Sequence, residues 1–261
     1  MSEPAAPPQT LAADLELEIG GRTLAVRLPV PAGPTTLGGL LPALRVLMAG
    51  LTGVAVEVAA EAGRQVSCRA GCGACCRQLV PIAGAEAHQL AGLIAALPPA
   101  RREIVVARFG AARTRLEEAG LWSELARMAE ISDPEAATAL GLAYFALQIA
   151  CPFLDAESCS IHPDRPLACR EYLVSSDPVH CADPGGRGVA PIKLDRRLAT
   201  AVARTGTGRG PRYVALTALF DWVARHPESP AGRDAALILG EVLSHLTGSE
   251  VSAATPDGPA R

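Results

Sequence analysis

The sequence predicts a mainly α fold, a compact helical domain with a small N-terminal β-hairpin and cysteine-rich loops. Three observations carry that expectation. Apolar residues recur at helical spacing through most of residues 37–246, whereas only one pair of short runs alternates at the strand period. Gly and Pro punctuate the helical stretches. All eight cysteines fall in two clumps, and the first of them carries glycines that argue for loop.

The elements follow in order. Residues 1–10 are polar and Pro-rich and read as disordered, with neither the basic start nor the apolar run of a signal peptide. Leu15, Leu17 and Ile19 then alternate with polar positions, Gly20-Gly21 makes a turn, and Leu24, Val26 and Leu28 alternate on the return. Pro29, Pro31 and Pro34 end the hairpin. A helix follows from about 37 to 62, interrupted or started by Pro42 and stopped by Gly63. Further helices are expected over 83–97, 100–119 and 121–130, with Pro98-Pro99 and Gly120 between them. Ser132-Asp-Pro-Glu135 reads as a capping box opening a helix that runs to about Ala150. Residues 175–190 are rich in Asp, Pro, Gly and Ser and read as loop, and Gly206-Thr-Gly-Arg-Gly210 as linker. Helices over about 212–225 and 231–246 complete the fold. The expected organisation is a single domain over 11–246 followed by a disordered tail, 247–261. Within that domain lie a hairpin plus helix (11–63), a cysteine core (64–182) and C-terminal helices (191–246).

Composition excludes several functions. The net charge is −3 with no long run of one sign, and aromatics are only 3% of 261 residues. No nucleic-acid partner and no membrane-surface partner is expected from that pattern. Ala136–Leu154 carries no charge over 19 positions, but its Ala content, Thr138, Gln148 and Cys151-Pro152 fit a buried core helix better than a membrane span. With no secretory signal in view, a cytoplasmic location is expected, where clustered thiols bind metals or react more often than they form disulfides.

The cysteine spacing carries the chemistry. Cys68, Cys72, Cys75 and Cys76 place four thiols in nine residues, and Cys151, Cys159, Cys169 and Cys181 form the second clump. Thiolates are soft anionic ligands, and such density makes sense when a cation holds them together. The partner expected is therefore a metal ion or cluster, with all eight cysteines as candidate ligands and the protein partner unknown. No acid occurs from Ala62 to Ala85, while Arg64, Arg69 and Arg77 flank the first clump. In the second, Pro166 suits a first helical turn with Asp164 as its cap, which puts Cys169 near a helix N-terminus. Arg165 and Arg170 are the candidate cofactor-supporting cations, with ordinary ion pairs to Asp164 or Glu171 as the alternative. His162 and His180 lie close enough in sequence to serve as further ligands. Only Cys72 and Cys75 form a CxxC, and the gaps in the second clump are seven, nine and eleven residues. Zinc ribbons usually pair two such knuckles, so the irregular spacing favours an iron–sulfur cluster over zinc.

Cys-x3-Cys-x2-Cys-Cys, then Cys-Pro-Phe-Leu, Cys-x-Ile-His-x-x-Arg-Pro-x-x-Cys-Arg-x-Tyr and a last Cys, resembles the YkgJ-type cysteine cluster family, named for a CxxCxxCC signature. The resemblance covers about residues 64–182. It implies a zinc- or iron-chelating domain, and through the flagellin lysine N-methylases among its relatives an iron–sulfur cluster of the 4Fe–4S type. Those relatives also make an iron–sulfur-dependent methylase the alternative to a metal-binding protein without assigned catalysis. The gap from Cys68 to Cys72 is one residue longer than the signature, and His162 stands where relatives often have Tyr. Cys68-x3-Cys72-x2-Cys75 also matches the radical S-adenosylmethionine signature. Those enzymes resemble a β/α barrel, which the helical pattern downstream opposes.

Overall fold

The computed structural model describes residues 10–131, 133–183, 188–208, 212–228 and 232–251. Strands β1 (Thr10–Ile19) and β2 (Arg22–Pro31) pair antiparallel in the register Leu15↔Val26 and Leu17↔Leu24. Gly20 and Gly21 connect them at φ 58° and 78°, the left-handed pair a two-residue turn of this twist requires. One hairpin face stays exposed, where Arg27 pairs with Asp14 across the strands; the other covers a helix. The hairpin is longer at both ends than the alternation suggested. Thr10 already pairs with Pro31, and Pro29 lies inside β2 opposite Ala12. A two-stranded sheet has a free edge on β2, where a residue lacking an N–H costs no ladder bond.

After the short strand β3 (Pro34–Thr35), Thr36 accepts from the Gly39 N–H and opens α1 (Leu37–Glu61). Among the described residues this is the one helix long and apolar enough to cross a membrane by length and composition. Its stripe of Leu40, Leu44, Leu47 and Leu51 is buried against the hairpin and later helices, the pattern of a core helix. The stretch 136–154 does not form a long helix at all, as described below.

Strand β4 (Pro81–Ile82) leads into α2 (Gly84–Ala96), followed by α3 (Pro99–Glu118) and α4 (Trp122–Ala126) with a 3-10 turn at Met128–Glu130. Asp133 caps α5 (Pro134–Ala146) by accepting from the Glu135 and Ala136 N–H groups. Ser132, the first residue of the expected capping box, lies outside the described residues. α5 stops four residues short of the expected Ala150. Gln148 takes a left-handed φ of 51°, and Pro152 disfavours helical backbone at Cys151.

The two-residue strands β5 (Leu154–Asp155) and β6 (Ser158–Cys159) pair, and α6 (Leu167–Glu171) and a 3-10 turn at Pro178–Ala182 follow. The sequence reading missed α7 (Leu198–Arg204), a short helix buried through Leu198, Ala201 and Val202. Two expected helices begin late. Strand β7 (Val214–Ala215) pairs with β4, so α8 is confined to Leu219–Arg225; β8 (Arg233–Asp234) pairs with β3, so α9 starts at Ala235 and runs to Thr247. In both cases a non-local backbone pairing overrides local helical preference.

The largest apolar cluster joins the hairpin to α1, α7 and α9. A second cluster gathers α2, α3 and α8 around Phe153 and Ile161, with Cys151 and Cys159 against it. The cysteine segments therefore lie over packed helices.

Candidate metal centre

The first clump is a turn followed by a 3-10 helix, Ala74–Arg77, in place of an α-helical stripe of sulfurs. Gly71 at φ 80° makes the turn. A β-carbon at Gly73 would sit 2.9 Å from Leu154 Cδ1 and 3.1 Å from the Glu157 carbonyl, so only glycine lets the β5–β6 turn approach this closely.

That approach brings the clumps together. Cys151 donates its N–H to the Cys76 carbonyl at 2.7 Å. Arg77 bonds the Gly73 carbonyl at 2.9 Å and pairs with Glu157 at 2.7 Å. The Ser67 N–H reaches the Val174 carbonyl at 3.0 Å, and Gln78 Nε2 lies 3.4 Å from both the Tyr172 hydroxyl and the Cys181 carbonyl. The chain thus stitches 67–78 to 151–181 on both flanks of the thiols.

Five cysteines, Cys68, Cys72, Cys75, Cys169 and Cys181, line one cavity of about 210 Å³ with His162, Arg165 and Tyr172. Cys76, Cys151 and Cys159 stand outside that lining. Cys75 is the common electrostatic neighbour, bearing on Cys68, Cys151, Cys159, Cys169 and Cys181. All eight thiols are free. A hydrogen bond with Cys76, and then burial, push the Cys75 thiol far up; burial alone leads for Cys169 and for Cys151, which reaches about 12. Cys68, Cys159 and Cys181 are raised as well, burial first. Among the described residues no three His, Cys, Asp or Glu side chains are drawn into a formed coordination geometry.

The two arginines differ. Arg165 lines the thiol cavity, and its Nε is buried without a partner. Its charge favours the thiolate at Cys68, Cys75 and Cys159, and together with burial it pushes His162 down. Arg170 donates to the Arg165 carbonyl at 3.2 Å and to the Pro163 carbonyl, bracing the turn that presents Arg165. Neither pairs with Asp164 or Glu171, because Arg45 takes Asp164 at 3.0 Å and Arg197 takes Glu171 at 2.7 Å. His180 is exposed.

One expectation for this region fails. Asp164 does not cap α6; the cap position is Pro166 itself. The Leu167 N–H is instead satisfied at 2.8 Å by Glu86, a buried residue of α2 whose other oxygen accepts from Ala83 at 2.9 Å. Glu171 does the same at the far end, accepting the Ala199 N–H at 2.8 Å. Nothing local in the sequence marks Glu86, and Glu171 is expected only as an ion-pair partner of Arg165 or Arg170, whereas it caps α7 and pairs with Arg197.

The donor set fits a soft cation. Sulfur predominates, one imidazole is beside it, no carboxylate is in the lining, and the half-buried Arg165, its Nε unpartnered, lines the same cavity. A mainly helical chain that gathers thiols from two distant segments around one cavity has the make-up of a cysteine-rich metal-binding protein. Residues 67–184 match the family model described as "CxxCxxCC: Putative zinc- or iron-chelating domain". No curated protein and no solved structure gives a significant match to the chain.

Proposed function

We propose that this chain is a cytoplasmic, single-domain protein that holds an iron–sulfur cluster through its cysteines, with zinc as the competing occupant. The observation that carries the reading is the cavity lined by thiols of both clumps and by Arg165. The eight cysteines are the ligand candidates; Cys75 is the central one, and Cys76, Cys151 and Cys159 are the reserve behind it. Arg165 offsets the charge of the thiolate-bound centre, and Arg170 holds Arg165 in position. A bound cluster would supply electron-transfer or substrate-ligating chemistry at this wall. The irregular spacing of the second clump supports iron–sulfur over a ribbon-type zinc site. Free thiols throughout fit a reducing compartment.

The test is anaerobic purification followed by visible absorption and by iron, sulfide and zinc quantitation. A brown protein with iron and acid-labile sulfide is expected. A colourless protein with stoichiometric zinc and no sulfide would move the function to a structural or metal-handling module.

A further inference from the structure

Beside the thiol cavity lies a larger one of about 570 Å³, within the size range of small-molecule sites. The two share a wall, since Cys75, Cys169, Tyr172 and Leu173 line both. Much of the remaining lining is aliphatic, including Leu79, Val80, Ile192 and Leu194. Its exposed charged side chains are Lys193 and Arg197.

Those two cations are not equivalent. Arg197 gives its Nε to Glu171, whose second oxygen is taken by the Ala199 N–H, so the one acid in the lining is already matched. Lys193 is the single lysine in a chain whose other 23 basic residues (24 Lys plus Arg, less this one) are arginine. It makes no hydrogen bond or ion pair with any described residue. An apolar cavity with one unmatched cation at its edge recognises an apolar body carrying one negative charge.

We propose that this cavity binds a small monoanionic amphiphile, a carboxylate on an aliphatic chain, with the carboxylate at Lys193 and the chain extending toward the Cys75–Cys169 wall. Such a ligand covers the thiol site along the wall the two cavities share, at Cys75 and Cys169. The site stands apart from the metal assignment, because Lys193 and the aliphatic wall are the same whichever ion the thiols hold.

Sodium octanoate is a suitable probe, titrated calorimetrically into the purified full chain beside acetate and octanamide. Saturable binding of one octanoate per chain is expected, with no detectable acetate binding. Octanamide should bind roughly tenfold more weakly, the loss of one charge-assisted contact. Lys193→Ala should show a similar loss, and Lys193→Arg should restore binding. A second measurement needs no variant: octanoate should protect Lys193 of the wild-type protein from acylation by an N-hydroxysuccinimide ester, read by peptide mass spectrometry. Absence of saturable octanoate binding, unchanged acylation in its presence, or equal binding by Lys193→Ala would each overturn the proposal.

Discussion

In the proposed reading, Arg165 is the residue on which the charge balance of the centre turns. Four thiolates around a divalent ion or a cluster leave net negative charge, and a guanidinium in the same cavity offsets it without occupying a ligand position. Its buried Nε has no other partner to satisfy it. Replacing Arg165 by Glu should speed loss of metal to a chelator by about 10- to 100-fold, the usual effect of removing a residue that supports the ligands. The same change at Arg102, exposed on α3, should leave retention unaltered. Equal retention in both variants would reduce Arg165 to a structural role. At this scale the cysteines and Arg165 were legible, because clustered thiols and flanking charge are local signals. Glu86 and Glu171 were not, since their roles exist only once α2 meets α6 and α6 meets α7.

Elements are held in position around the thiols by those two acids. Glu86 ties the N-terminus of α2 to that of α6, which carries Cys169 and Arg170. Glu86→Ala orphans two buried N–H groups and should cost about 3 kcal/mol in urea unfolding, at about 1–3 kcal/mol for each unsatisfied group. Glu86→Gln keeps one acceptor and should cost roughly half of that. The pH dependence has a definite sign. Burial raises the Glu86 carboxyl above its ordinary range, and the two backbone donors offset only part of that. A raised folded-state value means the native chain binds this proton more tightly. The stability it contributes is then complete below the unfolded carboxyl value and falls as pH rises through the folded one. Gln cannot ionise, so the deficit of Glu86→Gln should shrink between about pH 5 and about pH 8. A deficit that grows over that interval would show that Glu86 acts as a fully ionised cap. The hairpin and α1 were readable because turn, alternation and capping are local. The late starts of α8 and α9 were not, since β4–β7 and β3–β8 pair residues more than a hundred positions apart.

At the scale of the whole molecule, the cysteine segments lie over a helical core to which they add a few side chains, Phe153, Ile161 and Leu167. The cluster of hairpin, α1, α7 and α9 contains no cysteine, and the stitches between 67–78 and 151–181 are backbone and side-chain bonds independent of sulfur. Metal should therefore stabilise this fold without being required for it, unlike a small zinc finger. A tightly held ion at about a thousand times its dissociation constant adds about 4 kcal/mol, and for a chain of this size that is a melting shift of roughly 10 °C. Treating the loaded protein with a chelator should lower the melting temperature by that order while leaving far-ultraviolet circular dichroism helical. Hydrogen exchange should rise in 67–78 and 151–181 and stay unchanged in α1 and α9. Acid should mimic the chelator, because protons compete with the ion for the same sulfurs. A chelated protein with the circular dichroism of an unfolded chain would show that the metal is a folding nucleus and that the helical core cannot stand alone. Unchanged exchange in both cysteine segments would remove the ion from the cavity they enclose.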